Sequence, residues 1–307
     1  MRVAVVDIGT NSTRLLVADI ENGRVTRELT RESRVTRLGQ GVDATKALAE
    51  DAMQRVFAVL DDYRRTIDDL QTEATTAVLT SAVRDASNGA QFTQAVEERY
   101  GLDAQTIPGE EEAALTFLGA TSERPPGEEE LAVVDIGGGS TEVVVGRGTE
   151  LMFFASMQIG VVRQSERHLH SDPPTPDELT ALAAEVQHTI DDEVPRDVRR
   201  RADRALAVAG TPTSSAAIDL GLDPYEPKRV HGHVLETGRL EELLARLAQM
   251  PNEERRDVVG LHPERAPMIV PGLVVLLEVL RAFGLDEVEV SEHDILRGAA
   301  LRRAARE

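Results

Sequence analysis

Asp135-Ile136-Gly137-Gly138-Gly139-Ser140-Thr141-Glu142 has an earlier relative in the same chain, Asp7-Ile8-Gly9-Thr10-Asn11-Ser12-Thr13-Arg14. Laying Ala132–Val145 on Ala4–Val17 gives a constant offset of 128 (135 − 7) and nine identities in fourteen positions: Ala, Val, Val, Asp, Ile, Gly, Ser, Thr and the last Val. Each copy is an apolar run, a turn of small residues, and a second apolar run. That pattern predicts a β-hairpin whose tight turn exposes backbone N–H groups, an arrangement that attracts anions. An internal repeat of this kind points to a duplicated fold. A dinucleotide-binding turn is excluded, because Gly137-Gly138-Gly139 leads into Val143-Val144-Val145 rather than a helix. A P-loop is excluded because no Gly-Lys-Ser/Thr occurs.

Working outward, 307 residues are enough for two domains with their own cores. Aromatic residues make up only 3% and Trp is absent, so the cores must be aliphatic, which suits sheets covered by helices. With no Cys there is no disulfide, thiolate metal site or Cys nucleophile. The chain enters a strand at Arg2-Val3-Ala4-Val5-Val6, without a signal pattern, and Met268–Leu277 is too short to span a bilayer; a cytoplasmic location is expected. A net charge of −20 argues against nucleic acid and anionic membranes as partners. It also opposes a polyanionic substrate unless positive charge is concentrated locally. Lys46 and Lys228 are the only lysines, so phosphate contacts would come from Arg.

The order of elements repeats as well. Strands are expected over 2–8, 14–20 and 24–29, then a helix over 45–70, a buried strand over 74–79, a helix over 90–100, a short strand over 103–107 and a helix from Gly109 to about Thr121. The Pro/Gly/Glu stretch Glu123–Glu130 is the best linker candidate. The second half begins again with strands over 131–136, 142–146 and 150–157. Helices over 160–170 and 175–192, a strand over 205–209, helices over 210 onward, 236–249, 252–258 and 263–283, a strand over 287–290 and a last helix follow. We therefore expect an α/β chain of two domains, 1–124 and 125–307, with the last helix, about 294–307, able to pack back on the first.

Candidate site residues follow from the turns. Asp7 and Asp135 each end an apolar strand, where a carboxylate needs a partner or a metal. Gly137, Gly138, Gly139, Ser140 and Thr141, with Asn11 and Ser12 of the first copy, are the phosphate-binding candidates. The copies differ at one telling position: Arg14 stands where the second has Glu142 (14 + 128). Asp135 and Glu142 are carboxylates suited to Mg²⁺. Arg14 is either a phosphate contact or a partner in an ion pair. Ser81–Asn88, between a buried strand and a helix start, is either an anion site with Ser81 and Arg84 as donors or an ordinary cap made by Ser87 or Asn88. Glu110, Glu111 and Glu112 read on their own as an acidic helix start. The histidines, His293-Asp294 included, read as structural or surface groups.

Taken together the motifs resemble the exopolyphosphatase / guanosine pentaphosphate phosphatase family of the actin-like superfamily, over essentially the whole chain. Asp7–Arg14 resembles its first phosphate motif, Thr80–Arg84 through Asn88 its Thr-x-Ala-x-Arg-x-Ala-x-Asn segment, and Gly109–Ala113 its Gly-x-Glu-Glu-Ala motif. Asp135–Glu142 matches its second phosphate motif, and Gly160–Arg163 with Glu166, Gly210-Thr211 and Val270–Gly272 fall on similar residues. The resemblance implies a duplicated actin-like (ribonuclease H-like) fold with the active site in the interdomain cleft. It implies Glu112 as catalytic base, with Glu111 as the alternative one residue away; Mg²⁺, or another divalent cation such as Mn²⁺, near Asp135 and Glu142; and phosphate contacts from Asn11, Ser12, Arg84, Gly137, Gly138 and Ser140. Departures are Thr10 for the usual Ser, Asp85 beside Arg84, and the missing Glu before Gly298. The implied activity is hydrolysis of the terminal anhydride of inorganic polyphosphate. Alternatives are guanosine pentaphosphate hydrolysis, a polyphosphate- or alarmone-binding regulator, and an actin-like kinase using Gly210-Thr211-Pro212. A homodimer is the expected assembly.

Overall fold

A computed structural model describes residues 1–125 and 127–306; Pro126, inside the expected linker, and Glu307, last residue of the expected terminal helix, lie outside the described residues. The chain divides into two units, the first comprising residues 1–122 and 294–307 and the second 123–293.

The first unit is built on a five-stranded sheet of β1 (Arg2–Ile8), β2 (Ser12–Glu21), β3 (Arg24–Val35), β4 (Ala74–Leu79) and β5 (Ala104–Thr106), in the order β3-β2-β1-β4-β5. The first three strands form an antiparallel meander, and β4 and β5 add in parallel. Strand alternation splits the core in two. Ala4, Val6 and Ile8 face the helices Glu50–Asp69 and Gly89–Tyr100, while Val3 and Val5 face Leu115 of the helix Gly109–Thr121 and the terminal helix Ile295–Ala304. The terminal helix thus belongs to the first unit. It meets the helix Gly109–Thr121 backbone to backbone: a Cβ on Gly119 would lie 2.0 Å from the Asp294 carbonyl oxygen, and one on Gly298 1.9 Å from that of Leu115. Only glycine allows that approach.

The second unit repeats the plan. Its sheet contains β6 (Glu130–Ile136), β7 (Thr141–Arg147), β8 (Glu150–Met157), β9 (Arg204–Val208), β10 (Val234–Glu236) and β11 (Glu287–Val290). The order β10-β11-β9-β6-β7-β8, read from its other edge, is the first unit's order with β10 added. The fold is a duplicated α/β fold of the actin-like type. Its core helix, Ala266–Phe283, is long and apolar enough to cross a membrane, but most of it is buried inside this unit.

Three local expectations differ from the structure. The helix expected over 45–70 is two pieces, Val42–Thr45 and Glu50–Asp69, because Lys46 adopts a left-handed conformation that ends the first. β10 is too short to leave a sequence pattern. Asn88 occupies the cap position of the helix Gly89–Tyr100, yet its side chain does not cap it: it bonds the Leu48 N–H at 2.8 Å and the Leu48 carbonyl at 3.0 Å.

Candidate active site

Each hairpin closes on the same bond. The Gly9 N–H donates to the Ser12 carbonyl at 3.0 Å, and 128 residues later (137 − 9) the Gly137 N–H donates to the Ser140 carbonyl at 3.0 Å. A Cβ at Gly9 would sit 3.1 Å from the accepting oxygen, and one at Gly137 3.0 Å, so both turns are glycine turns for lack of space. In the second turn the carbonyls are drawn away by the start of the helix Val161–His168. Val161 N–H donates to Gly137 (2.9 Å), Val162 N–H to Gly138 (2.8 Å) and the Arg163 Nε to Gly139 (2.9 Å). Gly160 makes this docking possible, since a Cβ there would lie 2.4 Å from the Gly138 and Gly139 backbone. With the carbonyls committed, the N–H groups of Gly138, Gly139 and Ser140 donate no backbone bond among the described residues. Such a run of N–H groups is an anion nest.

The side chains of the two turns have diverged. In the first hairpin Asp7 lies opposite Arg14, and in the second Asp135 lies opposite Glu142. Arg14 bonds Asp7 Oδ2 through Nε at 2.8 Å and through Nη2 at 2.6 Å, and it also pairs with Asp294, which opens the terminal helix. Arg31 approaches the same Asp294 at 3.4 Å. Burial pushes the Asp7 carboxyl above its ordinary pKa against the pull of Arg14, and its Oδ1 is buried without a partner. Burial opposes ionisation of Asp294 too, but Arg14 and Arg31 outweigh it and the carboxyl is held below the usual range. Nothing in the sequence signalled Asp294, which reaches Arg14 across 280 residues.

On the second hairpin Asp135 and Glu142 are buried, and Glu142 Oε1 accepts from Ser156 Oγ at 2.7 Å on the neighbouring strand. Two facing carboxylates fit a Mg²⁺-type ion, which takes one or two protein oxygens and fills its octahedron with water and phosphate. Among the described residues no three His, Asp or Glu side chains converge to form a complete metal cage. The Thr141 hydroxyl is spent on the Ile159 carbonyl at 3.1 Å.

The remaining candidates cluster on the first unit. Arg84 Nη1 donates to Glu112 Oε2 at 3.0 Å and to the Ile107 carbonyl at 2.9 Å. Glu112 is buried, whereas Glu111 pairs with Arg302 of the terminal helix. The two adjacent glutamates are thereby separated: one meets the guanidinium, the other anchors its helix. Ser81 and Thr10 share a hydroxyl–hydroxyl bond of 2.8 Å, joining the first turn to the short helix Ser81–Arg84. Asn11 and Ser12 are half-buried at the turn.

The Ppx/GppA phosphatase family model matches residues 16–306. The chain belongs to that family. It is 38% identical to exopolyphosphatase 2 of Mycobacterium tuberculosis over 99% of this chain and 98% of the relative. Among solved structures, an exopolyphosphatase-like protein superposes with a TM-score of 0.91 at 35% identity, covering 100% of this chain and 99% of the other. The Aquifex aeolicus Ppx/GppA family member does so with a TM-score of 0.82 at 32% identity, covering 100% and 98%. As a family member the chain is a phosphoanhydride hydrolase.

Proposed function

We propose that this Ppx/GppA phosphatase is an exopolyphosphatase, cutting the terminal anhydride of inorganic polyphosphate and releasing orthophosphate. The observation that carries the mechanism is the 3.0 Å pair of Arg84 with buried Glu112. An arriving phosphoryl group competes for the guanidinium, and Glu112 is then released beside it as a carboxylate that can accept a proton. Water oxygen attacks the terminal phosphorus in line, Glu112 takes the water's proton, the bridging P–O bond breaks, and the chain leaves one phosphate shorter. Arg84 takes up part of the negative charge that this step spreads over the equatorial oxygens. Asp135 and Glu142 would hold the divalent cation, Mg²⁺ by donor set. When bound, such an ion neutralises phosphate charge and orients the attacked group. We place the protein in the cytoplasm, as a homodimer with neither nucleic acid nor membrane as partner.

The test is phosphate release from polyphosphates of defined length, with guanosine pentaphosphate offered alongside. Glu112→Gln is expected to lower turnover by about 10²–10⁴-fold while polyphosphate binding is kept. Unchanged turnover removes Glu112 from the role of base. Excess chelator is expected to stop release, and activity that persists in it removes the metal. Release from guanosine pentaphosphate alone transfers the substrate assignment to the nucleotide.

A further inference from the structure

We propose that Arg37 contacts the polyphosphate chain behind its terminal phosphate, as the first residue of a substrate track beside the first glycine turn; this rests on the exopolyphosphatase reading. The backbone carries the argument first. Arg37 has φ +50°, a left-handed conformation that residues with a Cβ adopt uncommonly and at a cost. The cost is met by bonds to the phosphate turn. The N–H groups of Thr36 and Arg37 both donate to the Asn11 carbonyl, at 3.0 and 2.9 Å, and the Gly39 N–H donates to the Thr10 carbonyl at 2.8 Å. A Cβ on Gly39 would lie 2.2 Å from Thr10 Cγ2, so the two loops are in close contact. Arg55 braces the same segment from behind, Nε to the Thr36 carbonyl at 2.8 Å and Nη2 to the Arg37 carbonyl at 3.3 Å, and neighbouring Leu38 is fully buried.

This backbone is fixed, yet the side chain it carries is exposed and makes no hydrogen bond or ion pair among the described residues. Arg37 thus places a guanidinium with no hydrogen bond or ion pair among the described residues beside the first glycine turn. A glycine or asparagine would adopt the left-handed backbone at lower cost. A strained non-glycine residue at a functional loop is evidence for a role of its side chain. Lys46 is the control: it is also left-handed and exposed, but it pairs with Asp43 at 3.5 Å. Arg37 supplies the local positive charge that a polyanion needs to approach a protein of net charge −20.

Steady-state kinetics on short and long polyphosphates test this, with Arg37→Asn, Arg37→Lys and Lys46→Ala beside the wild type. Asn keeps the left-handed backbone, so the fold is preserved and its thermal midpoint should not fall. Expected are a KM for long chains raised roughly 10-fold or more with kcat retained, a smaller effect on tripolyphosphate, a weaker salt dependence of KM, and partial rescue by Arg37→Lys. Lys46→Ala should leave KM unchanged. Wild-type turnover with an unaltered KM in Arg37→Asn overturns the role of Arg37 alone. A wild type that releases no phosphate from polyphosphate overturns the functional reading and, with it, the ligand named here.

Discussion

The two hairpins share a turn, a register and a closing bond, but the cross-strand pair beside each turn differs in sign. Asp7 faces Arg14, and Asp135 faces Glu142. Opposite charges across antiparallel strands attract, and like charges at that separation of about 5 Å repel. The first hairpin is therefore neutralised within its own unit, with Arg14 shared between Asp7 and Asp294. The second places two carboxylates opposite each other across its strands. Duplication supplied two glycine turns, and divergence at one position gave the hairpins different cross-strand pairs.

The sharpest way to break this comparison is Arg14→Met. It leaves Asp7 and Asp294 buried without their shared cation and should cost about 3–5 kcal/mol of stability, read by denaturant unfolding. A loss under 1 kcal/mol would mean the first hairpin is not held by that pair. Glu142→Gln is the counterpart. It keeps the shape and the Ser156 contact while removing one of the two facing carboxylates, so stability should fall by much less than in Arg14→Met. Turnover should fall roughly 10–100-fold at limiting metal and recover partly in excess metal. A stability loss equal to that of Arg14→Met would erase the distinction between the hairpins.

Acid titration gives a smaller effect with a definite sign. The folded pKa of Asp294 is lowered, so its stabilising contribution is present above the unfolded value of about 3.9 and is lost as pH falls through the folded one. Asp7 behaves oppositely: its raised pKa means ionisation costs stability, and that cost disappears as pH falls through the raised value. Asp294→Asn should therefore be less stable at pH 7 and lack the loss that the wild type shows below the ordinary carboxylate range. The smallest effect should come from Thr141→Val, which removes only the bond to the Ile159 carbonyl. About 1 kcal/mol of stability is expected, with turnover little changed.

Much of this was legible in the chain itself. The Asp-Ile-Gly repeat is local, and its hairpins form because apolar runs flank a tight turn in which glycine relieves crowding against the facing carbonyl. Glu112 was legible only by resemblance, since Glu110, Glu111 and Glu112 look alike as an acidic helix start. What distinguishes them is which side of the helix each takes, toward Arg84 or toward Arg302. The cap by Asn88, one of two readings of that segment, is not made, because a side chain at a cap position can find a partner in a distant loop, here Leu48.

By itself the sequence determined the duplicated α/β plan, the family and the two Asp-Ile-Gly hairpins, because these depend on residue order over a few positions. Tertiary structure alone decided how Arg14 and Asp294 are paired and how the backbone at Arg37 is held. Their partners lie far along the chain or are backbone atoms, and the energy of a buried or strained group depends on what surrounds it rather than on its neighbours in sequence.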